Sequence, residues 1–235
     1  MHYYSTSNRE LKSTLKEAVL KGLAPDGGLY MPSSYPILSK ETLESFRNMD
    51  LTGIAGTLST LLFGSAIPEA ELSRLTEEAI NFDTPLVQVE EGLYALELFH
   101  GPTLAFKDVG ARFLARLLSY FTGELDEDIH VLVATSGDTG SAVANGFLDV
   151  KGIKVHVLYP SGGVTPLQEK QFTTLGSNIT ALEVNGSFDD CQRLVKECFM
   201  DEELGGQLKL TSANSINLAR FLPQAFYYFR AWAQL

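Results

Sequence analysis

Basic residues are scarce: 18 Lys and Arg face 29 Asp and Glu, leaving a formal net charge of -11 over 235 residues. So acidic a chain lacks the basic face that nucleic-acid binders use to displace counterions, and no nucleic-acid partner is expected. Small anionic ligands stay open, because a few local donors can dominate a small pocket. Cysteine is limited to Cys191 and Cys198. Seven residues apart on one helix, their Cα atoms would lie about 10 Å apart, too far for a disulfide. That suits a reducing compartment and thiols that pack rather than react. No apolar run is long enough to span a bilayer, and MHYYSTSNRE has no signal-peptide core, so no membrane partner and a cytoplasmic location are expected. A Walker A lysine, a Gly-x-Ser-x-Gly elbow and metal-ligand spacing are missing too.

What is present is ordinary globular composition, 45% hydrophobic and 20% charged, with length for one large domain or two modest ones. Residues 1–85 read as a mainly helical region. Ser7 and Glu10 have capping-box spacing ahead of a stripe of Leu11, Leu15, Ala18 and Val19, and Gly22 is a stop. Further helices follow Ser39 and start near Pro68, and residues 86–98 read as two short strands joined at Gly92. From about residue 106 the rhythm changes. Helices over Asp108 to Tyr120, after SGDTG, from Thr165 to Leu175 and from Phe188 to Met200 alternate with the strands IHVLVAT, IKVHVLYP, NITALEV and LKLTSAN. Such alternation marks residues 86–235 as α/β, a parallel sheet wrapped by helices. The final INLARFLPQAFYYFRAWAQL reads as an apolar helix kinked at Pro223, whose aromatics would stand exposed. The expectation is that the chain stops inside a domain, or that a homo-oligomer covers this patch.

Three strand-to-helix junctions could carry chemistry. ATSGDTGSAV holds Thr135, Ser136, Gly137, Asp138, Thr139 and Gly140; its small residues and helix start suit an anion, or form only a tight turn with Thr139 as cap. YPSGGVTPLQEKQ repeats the arrangement. In TSANSINLAR, Asn214, Ser215, Asn217 and Arg220 could hold a carboxylate or phosphate, with Asn217 and Arg220 sharing a helical face; otherwise Asn214 or Ser215 caps the helix and Arg220 is a surface residue. Lys107, in FHGPTLAFKD, either lays its stem over apolar neighbours or, partly desolvated, serves as an amine nucleophile able to form a Schiff base. His100 near the Gly-Pro turn is more simply structural than catalytic.

Taken in order, GLAPDGGLYMP, FHGPTLAFKD, ATSGDTGSAV, YPSGGVTPLQEKQ and SANSINLAR resemble the threonine synthase family from near residue 3 to the end. The resemblance implies a tryptophan-synthase-β-like fold (fold type II) and the cofactor pyridoxal 5′-phosphate, with residues 86–235 as a partial cofactor-binding region that includes the small cofactor/substrate subdomain. It implies conversion of O-phospho-L-homoserine and water to L-threonine and phosphate. Lys107 would carry the cofactor, and Asp138 would stand where many relatives have an asparagine near its phenolic oxygen. Thr135, Ser136, Gly137, Thr139 and Gly140 would hold the substrate carboxylate, and Asn214, Ser215, Asn217 and Arg220 its phosphate end. Family members are longer, with a glycine-rich loop for the cofactor phosphate and a hydroxyl partner for the pyridine nitrogen that have no match here. The chain alone is therefore expected to bind the cofactor poorly and to show little activity. The alternatives are another lyase of this cofactor fold, such as a serine/threonine dehydratase, or a non-catalytic binding protein of threonine-synthase-like sequence. Oligomeric state is left open.

Overall fold

The computed structural model describes residues 2–123 and 127–235. At the start, strands β1 (Tyr3–Ser5), β2 (Lys12–Ser13) and β3 (Tyr30–Pro32) form an antiparallel sheet in the order β2-β1-β3. Helix α1 (Leu15–Lys21) begins later than the Ser7–Glu10 spacing suggests. The working box is Thr14 with Glu17: Glu17 N–H donates to Thr14 Oγ1 at 3.2 Å, and Thr14 N–H donates to Glu17 Oε2 at 2.9 Å. The residues before it are taken by pairing of Lys12 with Tyr4 and Ser13 with Tyr3. Gly22 ends the helix at φ 72°, its N–H returning to Ala18 O.

Helix α2 (Lys40–Ser45) starts from a Ser39 cap, α3 (Leu51–Phe63) from an Asp50 cap, and α4 (Glu69–Ala79) directly after Pro68. The α3 helix, unmarked by any turn signal in the sequence reading, buries Ile54, Ala55, Leu58, Leu62 and Phe63. Strands β4 (Leu86–Glu90) and β5 (Leu93–Leu96) form a hairpin turned at Gly92, with Val87, Val89, Leu93 and Tyr94 exposed.

The remainder alternates: α5 (Lys107–Thr122), β6 (Ile129–Ala134), α6 (Asp138–Phe147), β7 (Ile153–Pro160), α7 (Pro166–Thr173), β8 (Ile179–Val184), α8 (Phe188–Met200), α9 (Glu202–Gln207), β9 (Lys209–Ser212), α10 (Leu218–Phe221) and α11 (Gln224–Gln234). Strands β6 to β9 form one parallel sheet in the order β8-β7-β6-β9. Both faces of its centre are covered, which is why β6 and β7 read as near-continuous apolar runs. Val131, Val133, Val155 and Val157 enter the main core, while Leu132, Ala134 and Leu158 meet Cys191 and Val195 of α8. Cys191 and Cys198 are both free thiols.

The terminal aromatics are not left open as expected. Pro223 separates α10 from α11, and α11 folds back so that Phe226 is fully buried and Tyr227 nearly so. Phe226 stands edge-on to Phe113 at 5.6 Å, and Phe113 meets Phe63 at 5.4 Å, joining α11, α5 and α3 in one core. Arg230 of α11 fastens the far side by donating to both Asp83 carboxylate oxygens at 3.0 and 2.9 Å. Tyr228, 65% exposed, stays in solvent. Among the described residues no helix is long and apolar enough to cross a membrane.

Candidate active site

The sheet order defines the site. From β6 the chain builds outward through β7 and β8, then returns to place β9 on the other side of β6. The carboxyl ends of β6 and β9 therefore border a topological switch point, where open parallel sheets bind ligands. The loop after β6 carries Thr135 to Gly137, and the loop after β9 carries Ala213 to Asn217. Lys107 reaches this end as the first residue of α5, which packs on α6. Its Nζ lies 3.5 Å from Asp138 Oδ2 at the first turn of α6 and 4.6 Å from the Phe106 ring centroid. The lysine side chain is 23% exposed and Asp138 49%, so the ammonium is within reach of solvent. An ion pair this open is worth about 0–1 kcal/mol, so it orients more than it stabilises.

Within the SGDTG segment the structure separates residues that brace from residues that face outward. Thr135, fully buried, is not a ligand-facing hydroxyl. Its Oγ1 accepts from Gly137 N–H at 2.9 Å and Gly140 N–H at 2.8 Å, and donates to Gly137 O at 3.1 Å. Thr135, Gly137 and Gly140, expected at the substrate, are thus occupied with one another: the hydroxyl folds the loop and consumes both N–H groups. The glycines are required for that closeness. A Cβ on Gly137, whose φ is 140°, would lie 2.6 Å from the Gln168 amide, and one on Gly140 would lie 2.5 Å from Thr135 Cγ2. Outward-facing groups are Ser136 and Asp138, both exposed, and the half-buried Thr139. The N–H groups of Asp138 and Thr139 open α6 and have no acceptor within the helix.

The β9 junction divides in the same way. Asn214 is half-buried and Ser215 exposed at the crevice. Asn217 and Arg220 turn inward instead of presenting a shared face to ligand. Asn217 is the helix cap, in place of Asn214 or Ser215: its Oδ1 accepts from Ala219 N–H at 3.0 Å and its Nδ2 donates to Val19 O at 2.8 Å. Arg220 is 1% exposed rather than a surface residue, and its guanidinium donates to Ala213 O. Burial pushes its pKa down to about 10, and no carboxylate among the described residues pairs with it. Its charge thus sits behind the loop bearing Asn214 and Ser215. His100 is held by Glu97, Nε2 to Oε2 at 2.7 Å, and stacks on Phe99.

Two elements escaped the sequence reading. Asp108, fully buried beside Lys107, accepts from Thr103 Oγ1 at 2.6 Å and Thr103 N–H at 2.9 Å, fixing the loop that delivers the lysine. Burial raises its carboxyl pKa, and the Thr103 hydrogen bonds oppose the rise. Gln168 of α7 donates from Nε2 to Asp138 Oδ1 at 2.6 Å. The spacing Thr165-x-x-Gln168 was its visible signal, since it spells a capping box. No group of three or more His, Cys, Asp or Glu is gathered for a metal among the described residues.

A family model described as "Threonine synthase N terminus" matches residues 2–80, and one described as "Pyridoxal-phosphate dependent enzyme" matches residues 78–223. The threonine synthase of Haemophilus influenzae is 46% identical over all of this chain and 54% of its own length. The crystal structure of threonine synthase from Escherichia coli superposes with a TM-score of 0.91 at 43% identity, covering 100% of this chain and 54% of that one. A pyridoxal-phosphate-bound threonine synthase from Brucella melitensis gives 0.92 at 41% identity, over 99% of this chain and 52% of that one. The chain spans about half the length of the relatives it matches. It belongs to the pyridoxal-phosphate-dependent enzymes and corresponds, along its whole length, to the N-terminal half of threonine synthases.

Proposed function

We propose that this chain serves as the N-terminal half of a threonine synthase, acting on O-phospho-L-homoserine and water to give L-threonine and phosphate. The observation that carries the reading is Lys107 at the switch-point crevice, its Nζ 3.5 Å from Asp138 Oδ2 and open to solvent. Two groups present fit pyridoxal phosphate: the primary amine of Lys107 and the start of α6 stand together at the crevice. When bound, the cofactor supplies an electron sink for carbanions at the substrate.

This chain's groups then divide the work. Lys107 Nζ, on a flexible stem, takes and returns protons at substrate Cα and Cβ, a task that an always-charged guanidinium could not perform. Asp138 Oδ2 orients that amine. The N–H groups of Asp138 and Thr139, with the Ser136 hydroxyl, face the substrate carboxylate at the positive end of α6. Asn214 and Ser215, across the crevice, face its phosphate, and the buried charge of Arg220 adds positive potential behind them.

The test is release of phosphate and threonine from O-phospho-L-homoserine by the gene product that carries this chain. The expected result is equal amounts of both, lost in Lys107→Ala with far-UV circular dichroism unchanged. Threonine release that survives Lys107→Ala would overturn the reading.

A further inference from the structure

We propose that Gln168 is a positioning residue: from α7 its side-chain amide holds the Asp138 carboxylate against the Lys107 amine. The inference rests on Lys107 being the cofactor lysine, as proposed above. Asp138 is half-exposed, and an open carboxylate on its own does not fix the position of a long lysine. Gln168 removes that freedom. Its Nε2 engages Asp138 Oδ1 at 2.6 Å, which leaves Oδ2 for Lys107.

The glutamine is itself held from several sides. Its Oε1 accepts from Thr165 Oγ1 at 2.9 Å in the α7 capping box, which reserves Nε2 for Asp138. Its backbone oxygen accepts from Ser141 Oγ of α6 at 3.4 Å. Its amide lies over Gly137, where any Cβ would collide with it. Three residues along the same helix, Gln171 Nε2 donates to Thr103 O at 3.5 Å, and Thr103 belongs to the loop that Asp108 fastens ahead of Lys107. Residues at i and i+3 share a helical face, so one turn of α7 contacts both segments of the site. The lysine segment and the SGDTG segment are thereby aligned by a helix that contributes no proposed substrate contact.

The experiment is trace acetylation of the 235-residue chain across pH 7 to 10 without cofactor, the Lys107 peptide being quantified by mass spectrometry against Lys151 and Lys154. An amine hydrogen-bonded to a held carboxylate is less free to attack the reagent, so Gln168→Ala should raise Lys107 labelling at pH 8 by about two- to threefold. Asp138→Asn should give the same rise, and the double variant no more than either. Gln168→Glu keeps the length and the cap acceptor but has no amide to donate to Asp138, so it should raise Lys107 labelling as Gln168→Ala does. A rise in both variants that vanishes in the Asp138→Asn background is the signature of positioning, since a packing defect would add to the effect of Asp138→Asn. Unchanged labelling in both variants, additive rises in the double variant, or parallel changes at Lys151 and Lys154 would overturn the proposal. If Gln168→Ala fails to fold, Gln168→Glu still decides: faster labelling supports the role, and unaltered or slower labelling refutes it. Because the reagent needs no cofactor, loss of this role would leave the functional reading standing, and the reverse also holds.

Discussion

Replacing Thr135 by valine keeps the shape of the side chain and deletes one oxygen. In the folded chain that oxygen accepts from the N–H groups of Gly137 and Gly140, and its proton goes to Gly137 O, all in a fully buried setting. Leaving a buried polar group without a partner costs about 1–3 kcal/mol. Two donors are orphaned together, while Gly137 O keeps the N–H and hydroxyl of Ser141, and because the donors share a single oxygen their costs do not simply add. The expected destabilisation is about 2–4 kcal/mol, a large share of the margin of a typical domain. Thr135→Ser is the control. It keeps the hydroxyl and gives up one buried methyl, for about 1 kcal/mol. Urea unfolding, read as a fall in midpoint at constant slope, measures both variants. Should Thr135→Val cost less than about 0.5 kcal/mol, the scale of an ordinary surface change, the brace assigned to this hydroxyl is wrong. Equal damage from valine and serine would be just as fatal, because packing alone would then explain the loss.

Gly137→Ala should destabilise by about 1–3 kcal/mol through its backbone geometry, and it should raise Lys107 labelling as Gln168→Ala does, since the new methyl displaces the amide; wild-type labelling would count against the contact. Phe226→Ala should cost about 3–5 kcal/mol in urea unfolding, and a loss near zero would show that α11 does not seal the core. Burial, together with the charge of Lys154, holds the pKa values of His130 and His156 below the ordinary histidine value, with His130 adding to the fall at His156 and Asp128 opposing it at His130; the rings meet at 2.9 Å, Nδ1 to Nε2. The unfolded chain therefore binds more protons below about pH 6.5, so their contribution is present above that pH and lost as it falls. The urea midpoint should drop between pH 7 and 5.5, and the drop should shrink in His130→Gln/His156→Gln; an equal drop in that double variant would refute the assignment.

The α/β half was legible because buried parallel strands are written as unbroken apolar runs and their helices begin at visible caps. Phe188 to Met200 matches α8 to the residue, capped by Ser187 and Asp190. The N-terminal region was harder. Ser7 and Glu10 carry the spacing of a box, but strand pairing claims the residues after them and Thr14 with Glu17 takes the role. At the site, residue types announced an anion-binding corner without saying which groups face it. Thr135 and Asn217 are hydroxyl and amide in sequence terms; only the closed loop shows that they are consumed by Gly137, Gly140, Val19 and Ala219. Arg220 looks like any helix arginine until Gly110 admits its backbone and burial draws the side chain inside, the space for a Cβ there being closed by Arg220 O at 2.3 Å. Gln168 lay thirty residues from Asp138, a separation that no local pattern bridges.

The most direct test of the account is borohydride reduction of the gene product that carries this chain with excess pyridoxal phosphate, followed by peptide mapping. Lys107 should carry the pyridoxyl group ahead of every other lysine, and Lys107→Ala should lose that preference. A label spread over surface lysines, with Lys107 unmodified, would contradict the assignment of this amine to the cofactor.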